Sequence, residues 1–131
     1  MAFNILWPAM RWPGDREIES SSVGSNQAIF CERYDDVTEE QWASADAIVT
    51  VNDVPDKYRE KLGNCRIVVT PKVGFDNINL EAWAGLGVPV CNVPDYGTQE
   101  VADHAIALMM SLMKGITFHT RELKKLSLIH I

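Results

Sequence analysis

The chain has 131 residues, 47% of them hydrophobic and 23% charged, with 12 basic against 18 acidic side chains and a formal net charge of −6. That length bounds the expectation to about one domain, able to bury a core without staples. The acidic balance argues against a nucleic-acid or acidic-membrane surface, and any anionic ligand must be held by local dipoles.

The N-terminal stretch MAFNILWPAMRWPGD has no basic flank and no long apolar core, so it does not have the pattern of a secretory signal. No 18-residue apolar run free of charge occurs, so no transmembrane helix is predicted. Cys31, Cys65 and Cys91 are odd in number and form no CxxC pair. Reduced cysteines in a cytoplasmic protein are expected, with neither disulfides nor a metal site.

In chain order, short apolar runs recur at FNILW (3–7), AIFCE (28–32), AIVTV (47–51), RIVVT (66–70) and VPVCNV (88–93). Most are continuously apolar, the pattern of strands buried on both faces. Residues 14–27 are rich in Ser and Gly, with a short helix around Arg16–Ser20 and then a loop. TEEQWASA (38–45) opens on Thr38, a favoured N-cap, with acids in its first turn. PDKYREKLG (55–63) begins with Pro and ends with Gly. NLEAWAGLG (79–87) begins on Asn79 and ends on Gly87. Trp42 and Trp83 lie on these helices and are predicted to pack.

Strand–helix alternation with short links predicts an α/β fold: a flavodoxin-like, doubly wound parallel sheet of five strands ordered 2-1-3-4-5. From Thr98 to about Leu126, Gly115 is the only Gly or Pro, and a single long helix is expected. Its apolar surface, through Val101, Ala105, Leu108, Met109, Leu112, Met113 and Ile116, is wider than one stripe. That width suggests burial against a second body. Met109, Met110 and Met113 are expected as core and interface filler.

In an open α/β sheet, ligands sit beyond the carboxyl ends of the strands. Two such ends carry candidate chemistry: Lys72–Ile78 after the fourth strand and Asn92–Gly97 after the fifth. Gly74 would allow a sharp turn and a close ligand approach. Free backbone amides there could form an anion nest, with a carboxylate as the natural guest. A plain strand-to-helix loop is at least as good a reading of the spacing alone. Asp76 and Asn77 are expected to brace the loop locally. Lys72 either adds a positive charge beside the anion site or points to solvent, the favoured reading, and Asp35 and Asp36 are expected to face solvent. His119 and His130 have no evident partners. No G-x-G-x-x-G fingerprint occurs, because Gly85 and Gly87 precede a strand. The acids of a receiver domain and the phosphate loop of a flavodoxin are both missing after the first strand.

The segments VGFDNIN, GVPVCNVPDYGT and EVADHAIALMM, in that order and spacing, resemble the N-terminal part of the D-isomer-specific 2-hydroxyacid dehydrogenases. That family includes phosphoglycerate dehydrogenase and the C-terminal-binding-protein corepressors. The resemblance is specific over residues 45–121 and weaker, though compatible, over 1–44. It implies a flavodoxin-like substrate-binding domain at 1–97, an interdomain helix at 98–126 and an unmatched tail at 127–131. It implies that backbone amides of Val73 and Gly74 hold the carboxylate of a small 2-hydroxy or 2-keto acid, with Tyr96 also touching substrate. Val73 and Val101 would touch the nicotinamide end of NAD.

The family's dinucleotide-binding domain, with its catalytic Arg, Glu and His, has no counterpart in this sequence. This chain is therefore expected to hold no catalytic residue and to be inactive alone, with exposed apolar surface left behind. His104 is expected to be structural or interdomain, because the family's general acid/base belongs to the other domain. Family dimers form mainly through that domain. The alternative to this dehydrogenase reading is a non-catalytic, corepressor-like or remnant interaction protein of the same fold. The sequence departs from the common pattern at Lys72, where many members carry a small residue, and at Asn79, where Asp is usual.

Overall fold

The computed structural model describes residues 2–10 and 13–126. The proposed tail at 127–131 lies outside them. The chain divides into two compact units, Met1–Pro94 and Asp95–Ile131.

The first unit is a five-stranded sheet, all parallel, in the order β2-β1-β3-β4-β5. The strands are β1 (Asn4–Trp7), β2 (Gln27–Phe30), β3 (Ala47–Val49), β4 (Ile67–Thr70) and β5 (Val90–Asn92). Four short helices link them: α1 (Arg16–Ser22), α2 (Glu39–Ser44), α3 (Asp56–Arg59) and α4 (Leu80–Gly85). The expected topology is therefore present, and the short helix near residue 16 is real. A 3-10 turn at Pro13–Asp15 leads into it. The helix expected over 55–63 shrinks to one α turn, Asp56–Arg59.

Local chemistry explains the helix ends. At α2, the Thr38 hydroxyl accepts from the Gln41 N–H at 3.2 Å, and Gln41 Oε1 accepts from the Thr38 N–H at 2.9 Å. At α4, Asn79 Oδ1 accepts from the Ala82 N–H at 3.1 Å. Gly87 closes α4 with φ of 70°. Its N–H reaches the Ala84 carbonyl at 2.9 Å, and the Val88 N–H reaches that of Trp83 at 3.1 Å. These are the two bonds of a Schellman cap, which needs the left-handed residue that glycine supplies.

The strand register sorts the sheet into two faces. Leu6, Ile29, Ile48, Val68 and Val90 fall on one face through successive cross-strand pairs. That face carries the core, where Trp42, Val54, Tyr58 and Trp83 pack from the helices. Ile5, Ala47 and Ile67 pair across the other face, as do Val49, Val69 and Cys91. These are half-buried or exposed. Burial on both faces, as the continuous apolar runs suggested, is thus met on one face, while on the other only Trp7, beside Ile5 in the pleat, is buried. The run fixes that a residue is apolar; the cover over it is not encoded in the strand.

In the second unit the expected single helix is two: α5 (Thr98–Met113) and α6 (Ile116–Lys125), bent by 56°. Gly115 causes the break. It adopts φ of 61°, and its N–H turns back to the Leu112 carbonyl at 3.1 Å. The apolar pattern runs through this point, so periodicity alone does not detect it. α5 has no buried residue, and Met109, Met110 and Met113 are exposed instead of serving as core. Among the described residues no single helix is long and apolar enough to cross a membrane, although the bent pair together meets the length and composition.

Candidate functional site: the loops at the carboxyl ends of β4 and β5

β4 ends at Thr70, and the next residues, Pro71 to Asn77, form a loop with its bonds committed on both sides. Toward β5, Asn92 Nδ2 donates to the Val73 carbonyl at 2.7 Å, and the Val93 N–H donates to the Lys72 carbonyl at 3.2 Å. Toward β3, Asn77 Nδ2 donates to the Val51 carbonyl and to Asn52 Oδ1, both at 3.0 Å. The Lys72 ammonium donates to Asn77 Oδ1. Asn77 therefore braces the loop as expected, but by reaching 25 and 26 residues back in the chain. Lys72 is half-buried and engaged, not free in solvent.

The backbone amides of Val73 and Gly74 donate to no acceptor among the described residues. Val73 is 46% exposed. The Val73 and Gly74 N–H groups belong to a run of loop amides, 72–77, none of which has an acceptor among the described residues, while the Lys72 and Val73 carbonyls are turned away into other bonds. The arrangement can accept a small anion.

Gly74 does not do what was expected of it. It is not among the positive-φ glycines, so the turn does not require a glycine. A Cβ placed there meets only Asp76 Oδ2, at 3.7 Å, an ordinary contact. Neither backbone conformation nor internal packing accounts for the residue.

The loop stands on a buried polar cluster that the sequence did not reveal. Asp53, one residue after Asn52, accepts from Arg59 Nη2 at 2.8 Å and from Trp83 Nε1 at 3.0 Å. The Arg59 side chain is 7% exposed. It also donates to Asp56 Oδ1 and to the Val54 carbonyl, each at 2.7 Å, and lies over the Trp83 ring. Nearby, the Thr70 hydroxyl is buried with no partner among the described residues.

The remaining candidates fall elsewhere. Tyr96 and Val101 are exposed and belong to the second unit, as do His104 and His119. The structure thus brings Val73 and Gly74 together with Asn92, Lys72 and Asn77, all in the first unit. Asp35 and Asp36 lie in a 3-10 turn and are engaged, not simply solvated. Asp35 accepts from the Tyr58 hydroxyl and from Lys57 at 3.5 Å. The Tyr58 hydrogen bond, then the Lys57 charge, hold its carboxyl below its ordinary pKa. The three cysteines are free thiols. Burial pushes the Cys31 and Cys65 thiols up.

A cavity of about 360 Å³ lies at the opposite end of the sheet, lined by Phe3, Ile5, Ala47, Arg66 and Ile67 among others. It is a part of the uncovered apolar face at the amino ends of the strands. Ligand chemistry in open α/β sheets belongs to the carboxyl ends, so the β4 and β5 loops are the better candidate.

Residues 15–125 match the family described as "D-isomer specific 2-hydroxyacid dehydrogenase, catalytic domain". The chain is 34% identical over 79 residues to a glyoxylate reductase of Pyrococcus furiosus, covering 59% of this chain and 24% of that protein. Its fold is similar to that of a 2-hydroxyacid dehydrogenase of Ketogulonicigenium vulgare, with a TM-score of 0.78 at 22% identity, covering 95% of this chain and 40% of that one. It is also similar in fold to a D-lactate dehydrogenase of Aquifex aeolicus solved with NAD and lactic acid. There the TM-score is 0.69 at 19% identity, over 93% of this chain and 37% of that one. The chain spans about a quarter of the length of the curated relative and about two-fifths of these solved chains. The match over most of the chain, with the same parallel sheet, places it in a family: this chain belongs to the D-isomer-specific 2-hydroxyacid dehydrogenases.

Proposed function

We propose that the loop after β4 is the carboxylate-binding half of an NAD-dependent D-2-hydroxyacid dehydrogenase site. The observation that carries this reading is that, in a run of open loop amides, those of Val73 and Gly74 are fixed in direction, because the Lys72 and Val73 carbonyls of the same peptides are tied toward β5. Two N–H groups aimed at one anion give charge-assisted hydrogen bonds, the stronger kind. They also fix the substrate's C1 end so that C2 is presented in a defined direction. Gly74, which the fold does not need, leaves room for the carboxylate to approach the backbone.

A nicotinamide cofactor supplies or accepts the hydride at C2. From this chain, the exposed apolar side chains of Val73 and Val101 suit the nicotinamide end, and Tyr96 suits the substrate. The relative solved with NAD and lactic acid supports the ligand class. Recognition of the cofactor's phosphates and ribose, and the catalytic Arg, Glu and His, are assigned to the portion of the family fold outside this chain. The 131-residue chain then binds a carboxylate without turning it over, and the parent functions in the cytoplasm as a homodimer.

Titration of the 15N-labelled chain with oxalate tests the reading, with selective shifts expected at the Val73 and Gly74 amides. Oxalate shifts that avoid this loop would refute the site, and NADH-dependent reduction of a 2-keto acid by the pure chain would refute the half-site. The exposed apolar side chains of α5 favour a second reading, a non-catalytic interaction protein of the same fold. It predicts no oxalate response at the loop.

A further inference from the structure

We propose that Lys72 is a specificity-determining residue: its ammonium receives a second anionic group, so the preferred ligand is a dianionic 2-keto or 2-hydroxy acid. This rests on the carboxylate reading of Val73 and Gly74 above.

The first observation is the state of the charge. Lys72 is half-buried, in a chain where acids outnumber bases by 18 to 12, yet no carboxylate pairs with it among the described residues. Its partner is Asn77 Oδ1, a neutral acceptor. An amide oxygen orients an ammonium without cancelling its charge. The ammonium has three donors, and one is directed to Asn77. Two remain for a ligand.

The second observation is that the head group is held in place. Asn77 Nδ2 is committed to the Val51 carbonyl and to Asn52 Oδ1, each at 3.0 Å, so the oxygen of the same carboxamide must face Lys72. A lysine that merely covers surface keeps a mobile ammonium in water. Here the ammonium is tethered at the edge of the anion-binding loop.

The third observation sets the two groups on one side of the loop. The Lys72 and Val73 carbonyls are tied toward β5 by the Val93 N–H and Asn92, so across these trans peptides the Val73 and Gly74 N–H groups point the other way, toward the side where Asn77 ties the Lys72 head. A substrate seated on the amides therefore lies beside the ammonium. One carboxylate suits the amides, and a further anionic group on the same substrate suits the ammonium. The second group's chemistry, carboxylate or phosphate, is shared at this level: an anionic oxygen cluster within reach of a fixed cation.

The rival role for Lys72 is a brace that is indifferent to ligand charge. Two five-carbon acids separate the two roles: 2-oxopentanoate ends in a methyl group and 2-oxoglutarate in a carboxylate. 3-Phosphonopyruvate supplies the phosphate-like case. Each is titrated into the 15N-labelled chain at low salt, following the Val73 and Gly74 amides. At least one dianion is expected to bind about fivefold tighter than 2-oxopentanoate, as for an exposed charge pair. Lys72→Met is expected to erase that ratio, and Lys72→Arg to keep most of it. The dianion that loses more on Lys72→Met identifies the second group. Equal binding of all three acids, or a ratio that survives Lys72→Met, would overturn the assignment to Lys72 while leaving the carboxylate site standing. Silence of both amides toward every acid would remove the carboxylate reading and this inference with it.

Discussion

Asp53→Ala gives the sharpest test of how the site loop is supported. In the parent, the Asp53 carboxylate receives Arg59 at 2.8 Å and the Trp83 indole N–H at 3.0 Å. Truncation orphans the indole donor and takes one of three acceptors from Arg59. The indole N–H belongs to a side chain that is fully buried, so leaving it unsatisfied costs about 1–3 kcal/mol. Arg59 keeps Asp56 and the Val54 carbonyl, each at 2.7 Å, so its loss is less than the roughly 3–5 kcal/mol of a fully broken buried pair. Asp53 itself is partly exposed, and water can enter after truncation. A total of about 3 kcal/mol follows. Against the roughly 5–15 kcal/mol stability of an ordinary domain, that is a large fraction. With a urea slope near 2 kcal/mol/M, the unfolding midpoint should fall by about 1.5 M. A double-mutant cycle with Trp83→Phe should return a coupling of about 1 kcal/mol, because the phenylalanine ring has no donor to lose. A midpoint within about 0.3 M of the parent, or a coupling near zero, would show that the cluster does not hold this region together.

Three further outcomes are expected. Gly74→Ala should leave stability unchanged or raise it by up to about 1 kcal/mol, because the backbone permits alanine and the added Cβ has space, while oxalate binding weakens. Marked destabilisation in urea would mean that the glycine serves the fold and not a ligand. Gly115→Ala should disfavour the bend by about 1–2 kcal/mol, since φ is 61° and the new Cβ would lie 3.3 Å from the His119 ring. The relief is a straighter α5–α6 helix, read as added far-UV helical ellipticity; unchanged ellipticity and unchanged stability together would count against it. Cys65, with its thiol raised above 9.0 by burial, should label with iodoacetamide more slowly than exposed Cys91. Its raised folded pKa contributes stability that is present below pH 9.0 and lost as pH rises through the folded value. Cys65→Ala should therefore flatten the alkaline limb of a stability-versus-pH curve measured with the parent as reference.

The fold was legible because its signals are local. The five apolar runs mark the strands, Thr38 and Asn79 mark two helix starts, and Gly87 marks an end. The covering of the sheet was not legible. Ile67 and Val68 are equally apolar in the sequence, yet Val68 is fully buried and Ile67 only half so. Nothing within RIVVT distinguishes them, since burial depends on what packs from outside the strand. The break at Gly115 left a visible trace, a lone glycine, but the apolar residues on either side run on in helical register. At the site, Gly74 stood out because it follows a strand end, and Val73 through the family resemblance. Asn92 stood out only as part of the next strand end, and Asn52 and the buried pair of Asp53 and Arg59 did not, because a polar residue acquires its role from a partner. Those partners lie 19 residues away for Asn92 and 25 for Asn52.

The long-range partners also explain how an acidic chain can hold an anion at all. Long-range repulsion by a chain of net charge −6 opposes the ligand, so the site must rely on groups fixed at close range. A mobile loop would lose much of that advantage in ordering entropy. Here the order runs outward from the core: Trp83 and Arg59 hold Asp53, its neighbour Asn52 receives Asn77, and Asn77 holds the Lys72 ammonium. On the other flank, Asn92 at the end of β5 holds Val73. The open amides lie between two tethers, one rooted in the core and one in the sheet. Loosening the root should therefore be felt at the loop: in Asp53→Ala, amide exchange at residues 72–77 should accelerate even under conditions where the sheet stays folded. If exchange there matches the parent while the core is destabilised, the loop is held by Asn92 and the strand ends alone.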